Sequence, residues 1–391
     1  MPVNALDVAL GALMVAAGLA GWRLGLITRA LSWAGLAAGV VLAARLLPGV
    51  ARTAESSTGR AELALIGLGL LLAGAFLGQA IGLVAGSRLR VGVRGPRLQR
   101  VDAIGGAVAG VLGVLVAVWL VVPALADVPG TAARQARGSR IARVVADVFP
   151  PAPDATRTLR TLLGEDYPRV FDGLGPTPAT GPPPRVSGID PATSARAAAA
   201  TVKVVGEACG RIQEGTGFVA RPGLVVTNAH VVSGESRTTL ERSDGARVDA
   251  VVVAFDPARD LAVLSAPALD RPALPLGSVQ PGVRGAVYGH PGGGPLQASP
   301  FRVDRRIRAV GRDIYGSSRT ERDVLVLAAD LEPGDSGSAL VSRSGRVAGV
   351  AFAIAPDRPG VAYALTPAEV RVVLDTVPET RSPAATGPCL D

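Results

Sequence analysis

Three short stretches carry residue types that do chemistry together. One is Leu331-Glu332-Pro333-Gly334-Asp335-Ser336-Gly337-Ser338-Ala339-Leu340, which sets a serine between an acid and a glycine. A serine hydroxyl is a weak nucleophile. It needs a neighbouring base, and backbone N–H groups aimed at the oxyanion that develops during attack. Gly334 and Gly337 permit a sharp turn, so the N–H groups around Asp335, those of Gly334 and Ser336, are expected to converge on one point. The second stretch is Leu224-Val225-Val226-Thr227-Asn228-Ala229-His230-Val231-Val232, an apolar strand pattern that ends on one of only two histidines. The third is Phe255-Asp256-Pro257-Ala258-Arg259-Asp260-Leu261-Ala262-Val263-Leu264, where Asp260 opens an apolar run and Asp256 is its competitor. A glycine-flanked serine alone is a weak signal. With a histidine and an acid upstream, the expected chemistry is acyl transfer: Ser336 as nucleophile, His230 as base, Asp260 holding the imidazole.

The other reactive residues fit poorer chemistry. His290, in Tyr288-Gly289-His290-Pro291-Gly292-Gly293-Gly294, reads as a loop residue, with a pH-responsive role as the alternative. The glycine run 292–294 lacks the Gly-Lys-Ser/Thr ending and following helix of a phosphate loop. Cys209 and Cys389 have no partners at zinc spacing, so no metal and no cofactor is expected. As the chain's only cysteines, they are expected to form a disulfide if they lie in an oxidising compartment; two separate thiols are the alternative.

Around these stretches the chain of 391 residues divides by composition. From about residue 198 short apolar runs alternate with Gly/Pro turns: 201–205, 217–220, 224–227, 248–253, 262–264, 285–288, 324–327 and 347–354. That pattern predicts an all-β domain over 198–391. A closing helix is expected over Pro367–Asp375, with Thr366 as N-cap and Glu369 completing a capping box. Residues 127–197 read as a linker. Its first part is amphipathic, with Arg134, Arg137 and Arg140 on one face, and residues 172–192 form a Pro/Gly-rich spacer containing Pro182-Pro183-Pro184.

Residues 1–126 form an all-α transmembrane domain by this reading, with four spans at about 5–22, 31–47, 64–86 and 103–126. Each reaches roughly 25–36 Å, enough for a hydrocarbon core of about 30 Å. The first is not a signal peptide: it lacks a basic leader and three more spans follow. Arg23 and Arg29 lie between spans one and two, and Arg88, Arg90, Arg94, Arg97 and Arg100 between three and four. Positive loops stay in the cytoplasm, which places both termini and the β domain outside it. Gly74, Gly78, Gly82 and Gly86 share one helix face, expected to serve internal packing or a seam between two copies. Residues 198–391 hold 21 basic and 21 acidic side chains, so the whole formal +8 lies in the N-terminal half. The basic balance therefore points to a lipid surface and not to nucleic acid. Ion transport is disfavoured, because Asp7, Arg45 and Asp102 sit near span ends. Lys203 is the one lysine against 39 arginines and reads as coding bias.

Residues 215–340 resemble the trypsin-like proteases, most closely the HtrA-like branch. The resemblance rests on Gly215-Thr216-Gly217-Phe218, Thr227-Asn228-Ala229-His230, Asp260-Leu261-Ala262-Val263-Leu264 and Gly334-Asp335-Ser336-Gly337. The chain order His, Asp, Ser is that of the chymotrypsin double barrel, not of the α/β-hydrolases or subtilisin. The resemblance implies protein or peptide substrates and a primary pocket near Asp330, Ala351, Phe352 and Ala353. Asp330 stands where trypsin selects basic side chains, although the HtrA branch does not use that position so. HtrA proteins carry a PDZ module after this domain, for which the short tail leaves no room. Residues 5–126 resemble the colicin V production family through Asp7, Gly21-Trp22-Arg23-Leu24-Gly25 and Val101-Asp102-Ala103-Ile104-Gly105-Gly106. Together the two halves resemble the actinobacterial membrane-anchored serine proteases of the MarP type. That resemblance implies an endopeptidase acting on cell-envelope proteins, in stress or acid resistance. A scaffold with a binding-only protease-like domain, or a transport component, is the alternative.

Overall fold

The computed structural model describes residues 3–54, 60–93, 95–126, 130–150, 177–208 and 211–390. Cys209, Arg94 and linker residues 151–176 lie outside them. The chain divides into two compact units, Met1–Val122 with Ser139–Ala152, and Pro123–Gly138 with Pro153–Asp391.

Among the described residues, the first unit holds three helices long and apolar enough to cross a membrane. They lie in α1 (Ala5–Ala54), α2 (Arg60–Arg90) and α3 (Pro96–Leu125). Helix α1 is two legs, not one. Gly25 leaves helical geometry at φ 77°, ψ 165°. Before it, Ala17 and Gly21 lie against Gly110 and Gly106 of α3; after it, Leu26 and Trp33 lie against Gly105 and Gly113. The legs therefore run in opposite directions along α3, and the chain reverses at a single residue. An eight-residue loop over 23–30 was expected there, and the structure replaces it with a sealed helix break. Asp102 Oδ1 accepts the Ile27 N–H at 3.0 Å, capping the second leg. The Arg90 guanidinium pairs with Asp102 Oδ2 at 2.8 Å and donates to the Arg23 carbonyl, an orphan acceptor at the end of the first leg. A Cβ on residue 25 would stand 1.9 Å from that carboxylate, so only glycine fits.

The glycine row of α2 meets the second leg of α1. Added Cβ atoms at Gly74, Gly78, Gly82 and Gly86 would strike Gly39, Gly35, Leu31 and Thr28. Internal packing thus occupies the face that was also a candidate seam between copies. Helix α5 (Arg140–Val148) closes this unit. Its N-cap Ser139 and the N–H groups of Arg140 and Ile141 are all gathered by the buried Asp7 carboxylate.

In the second unit, six strands close into each of two barrels. The first runs β1 (Thr201–Ala208), β2 (Arg211–Arg221), β3 (Leu224–Thr227), β6 (Leu261–Ser265), β5 (Arg247–Asp256), β4 (Glu235–Glu241). The second runs β10 (Ala339–Ser342), β11 (Val347–Ile354), β12 (Val361–Leu365), β9 (Arg319–Ala328), β8 (Gln297–Arg312), β7 (Arg284–Gly289). Strands β3, β6 and β12, apolar but for the terminal Thr227 and Ser265, are buried along their whole length, as barrel interiors packed against helices and each other require.

Two short helices in the expected linker belong to this unit. Helix α4 (Thr131–Gly138) is tied by Gly130 N–H to the Pro356 carbonyl, and α6 (Pro191–Ala200) buries Ala197 and Ala200 in the core. Between them Thr177 bonds Asp357 through its N–H and hydroxyl, so the spacer after 176 lies on the barrel. A one-turn helix α7 (Ala229–Val232) carries His230. The closing helix α8 (Pro367–Leu374) forms without the expected capping box. Glu369 is drawn elsewhere, accepting from the Asp323 N–H at 2.8 Å and from Arg259 at 2.8 Å.

Candidate active site

His230 follows strand β3 directly, and Asp260 precedes β6, the strand paired with β3. That pairing alone brings the two side chains together. His230 Nδ1 lies 2.8 Å and 3.0 Å from the two Asp260 carboxylate oxygens, and the His230 N–H donates to Oδ1 at 3.0 Å. Asp260 is fully buried and adopts φ 58°, a conformation unusual for a residue with a Cβ. Several bonds hold it there. Asn228 Nδ2 donates to the Asp260 carbonyl at 2.7 Å. From the second barrel, the Thr320 hydroxyl at 3.0 Å and Arg322 Nε at 2.7 Å both donate to the carbonyl of Ala258. Asp256, the rival acid, is spent on Arg259, accepting from its N–H and its guanidinium.

Ser336 comes from the turn before β10. Its carbonyl accepts the Thr216 N–H at 2.8 Å, which ties the turn to β2 of the other barrel. Gly337 N–H donates to the Ala351 carbonyl at 2.9 Å, and Ala351 N–H returns a bond to Ser338. Gly334 sits at φ 96°, and a Cβ there would stand 2.3 Å from the His290 carbonyl. Among the described residues, the N–H groups of Gly334 and Ser336 donate to no protein acceptor. The N–H of Asp335 is committed to Glu332, so Asp335 adds no donor to the group expected around it. Its carboxyl accepts from the Glu332 N–H, and burial pushes it up to about 6. No hydrogen bond joins Ser336 Oγ to His230 among the described residues; such contacts tighten once substrate is bound.

His290 proves to be a buried loop residue between β7 and β8. Its Nδ1 lies 2.9 Å from the Gly294 carbonyl, and burial holds the imidazole below its ordinary pKa. The expected pocket residues separate. Phe352 and Ala353 are in the hydrophobic core, Ala351 is buried beside the serine turn, and Asp330 is exposed next to Gly360. Among the described residues no cluster of His, Cys, Asp and Glu is placed to hold a metal.

Thr216 went unassigned in the sequence. Its hydroxyl donates to the Gly334 carbonyl at 2.7 Å and accepts the His290 N–H at 3.0 Å. The Gly215-Thr216-Gly217-Phe218 motif marked the place, but no local spacing links it to residues 118 positions away.

Comparison with known proteins agrees with this geometry. Residues 215–350 match the trypsin-like peptidase domain, and residues 6–150 match colicin V production protein. The molecule is therefore a serine protease built from a trypsin-like domain and a colicin V production-like helical domain. Serine protease Rv3671c of Mycobacterium tuberculosis is 33% identical over 404 residues, covering 100% of this chain and 99% of the relative. This chain belongs to that family. The crystal structure of the Rv3671c protease in its active form matches with a TM-score of 0.50 and 38% identity, over 56% of this chain and all of the other. The putative serine protease HhoB of Synechocystis is 31% identical over 39% of this chain and 37% of its own length.

Proposed function

We propose that the chain is a membrane-anchored endopeptidase that cleaves proteins at the cell envelope through an acyl-enzyme. The observation that carries this reading is the His230–Asp260 contact at 2.8 Å beside a serine turn whose Gly334 and Ser336 N–H groups have no acceptor among the described residues. Asp260 fixes the imidazole tautomer, His230 takes the Ser336 proton, and the two N–H groups receive the oxyanion. The closed barrels support a chymotrypsin-like arrangement. No metal or cofactor enters the scheme.

Four membrane crossings follow from the two legs of α1 with α2 and α3. Arg23, Arg88, Arg90, Arg97 and Arg100 cluster in sequence at the end where Gly25 and Asp102 meet, and the positive-inside rule makes that end cytoplasmic. The N-terminus and the protease domain then lie outside the cytoplasm, where Cys209 and Cys389 form a disulfide. No free cysteine occurs among the described residues. A role in stress or acid resistance follows from the family resemblance.

The test uses the full chain in detergent and a serine-directed peptide phosphonate. Wild type should label stoichiometrically at Ser336 and Ser336→Ala should not. Equal labelling of both would sink the assignment.

A further inference from the structure

The chain's one lysine binds a turn that itself bonds the segment before Ser336. Lys203 stands directly across β1–β2 from Thr216. Its ammonium donates to the Gly293 carbonyl at 2.7 Å and pairs with Glu214 at 2.7 Å, with 15% of the side chain exposed. Gly293 belongs to the tight turn at 290–294, where Gly293 N–H returns to the His290 carbonyl and Gly294 N–H to Pro291. The neighbouring Gly292 N–H donates to the Pro333 carbonyl at 2.6 Å. That last bond matters because a trans peptide holds its C=O and N–H in one plane, pointing in opposite directions. With the Pro333 oxygen pinned to Gly292, the Gly334 N–H faces the other way and stays available to an oxyanion. Released, the 333–334 peptide can rotate about its flanking bonds and withdraw the donor. Thr216 and Lys203, opposite one another, hold the two ends of the turn: Thr216 the His290 N–H, Lys203 the Gly293 carbonyl.

We propose that Lys203 is a positioning residue for the oxyanion-binding N–H of Gly334, acting through the 290–294 turn. The inference rests on the triad and oxyanion reading above. Lysine suits the slot because it is a compact charge with three rotatable donors, whereas arginine brings a planar fork. Space is short here: a Cβ on Gly293 would stand 1.9 Å from the Glu214 carboxylate. Glu214 supplies the counter-charge and leaves the lysine's bond to Gly293 intact.

The test compares full-length wild type, K203M, E214Q and S336A on one peptide substrate. Loss of an oxyanion donor costs about 10²–10³ in kcat, and a donor left unsupported should cost part of that. K203M should lose roughly 10–100-fold in kcat with KM within about twofold, and weaken a peptide boronate, which forms a tetrahedral anion on the serine, by a like factor. E214Q should lose less than about fivefold. A second measurement needs no mutant to fold. With one lysine in the sequence, a lysine-selective acylating reagent reaches only Lys203 and the terminal amine. Native enzyme acylated at Lys203, as read by mass spectrometry, should show the same fall in kcat, and K203R treated alike should show no further change. The inference is overturned if K203M or the acylated enzyme turns over within twofold of wild type, or if the loss falls on KM. Turnover surviving in S336A would instead overturn the triad reading beneath it.

Discussion

In the first barrel, side chains do the holding. Both Asp260 oxygens meet His230, and the Asn228 amide reaches back to the Asp260 main chain. In the second barrel the serine is held through its backbone, by Thr216 N–H on Ser336, Gly292 N–H on Pro333 and Gly337 N–H on Ala351. A contact between two side chains is confined to them, so its loss should fall on chemistry alone. A turn fixed by backbone bonds depends on every segment that supplies one, and its state should respond to residues that never touch substrate.

The largest expected effect lies where the two barrels meet in the reaction. Ser336→Ala or His230→Ala should reduce peptidase turnover by about 10⁴–10⁶, and the double variant should be little worse, since such a triad acts as a unit. All three should remain folded, with Ser336→Ala unfolding at the wild-type midpoint and the His230→Ala variants below it, because they leave the buried Asp260 carboxylate without its ring partner. Turnover within tenfold of wild type in purified Ser336→Ala would end the assignment.

A smaller effect tests the backbone half. Thr216→Val keeps shape and removes the hydroxyl that joins His290 N–H to the Gly334 carbonyl. Two buried groups lose a partner, at about 1–3 kcal/mol each. Turnover should fall roughly 10–100-fold, with kcat taking the loss, and the unfolding midpoint should drop by several degrees. If only the midpoint moves, the bridge supports the fold and not the oxyanion site, and the contrast between the barrels loses its force.

Legibility in the sequence follows the same line. The motifs holding His230, Asp260 and Ser336, the proposed triad, were readable because each adjoins an apolar strand. Strands 224–227 and 347–354 were readable because Leu224-Val225-Val226 and 347–354 are runs without a charged or amide side chain. Strand β8 was not, since its sixteen residues include Arg305, Arg306 and Arg308 on an exposed stretch that reads as polar loop. Strand β4, Glu-Ser-Arg-Thr-Thr-Leu-Glu, hides for the same reason. The roles of Thr216 and Lys203 depend on partners 74–118 residues distant, which no periodicity encodes. Glycine spacing announced a close helix contact in the apolar half, but not the pairing of Arg90 and Asp102 that seals the break at Gly25.

The C-terminal tail offers a way to join what the comparison separates. Ala384 N–H donates to the Val252 carbonyl and Gly234 N–H to Thr386, both in or beside the first barrel. Tyr315, in the β8–β9 hairpin of the second barrel, lies 2.9 Å from Ser233 Oγ and donates to the Thr386 carbonyl at 3.3 Å. The proposed Cys209–Cys389 bond would pin that tail and close a loop of about 180 residues, worth up to about 5 kcal/mol by the chain-entropy model. Reduction should lower the unfolding midpoint and also turnover, because the tail abuts Ser233, three residues from His230. Two reactive thiols in denatured, unreduced protein from its native compartment would refute the bond. An intact bond whose reduction leaves turnover unchanged would refute only the functional half.

The smallest expected effect sits under that tail. Glu235 is buried at the start of β4; Thr238 donates to its carboxyl, and its own carbonyl accepts from Thr386 at 3.0 Å. Burial pushes the carboxyl up to about 7, the Thr238 bond opposing that rise. The folded state thus holds a proton that the unfolded chain releases near its ordinary carboxylate pKa. Its contribution to stability is fully present below that ordinary value and is lost as pH rises through about 7, where the buried group must ionise. Glu235→Gln keeps an acceptor for Thr238 and never ionises. It should leave the midpoint within about 1 °C at pH 4 and raise it by roughly 2–8 °C at pH 8, as one or two kcal/mol would in a domain of this size. Turnover at saturating substrate should not change, because Glu235 touches neither His230 nor the serine turn. An equal shift at both pH values would show that packing, not ionisation, sets the cost of this residue.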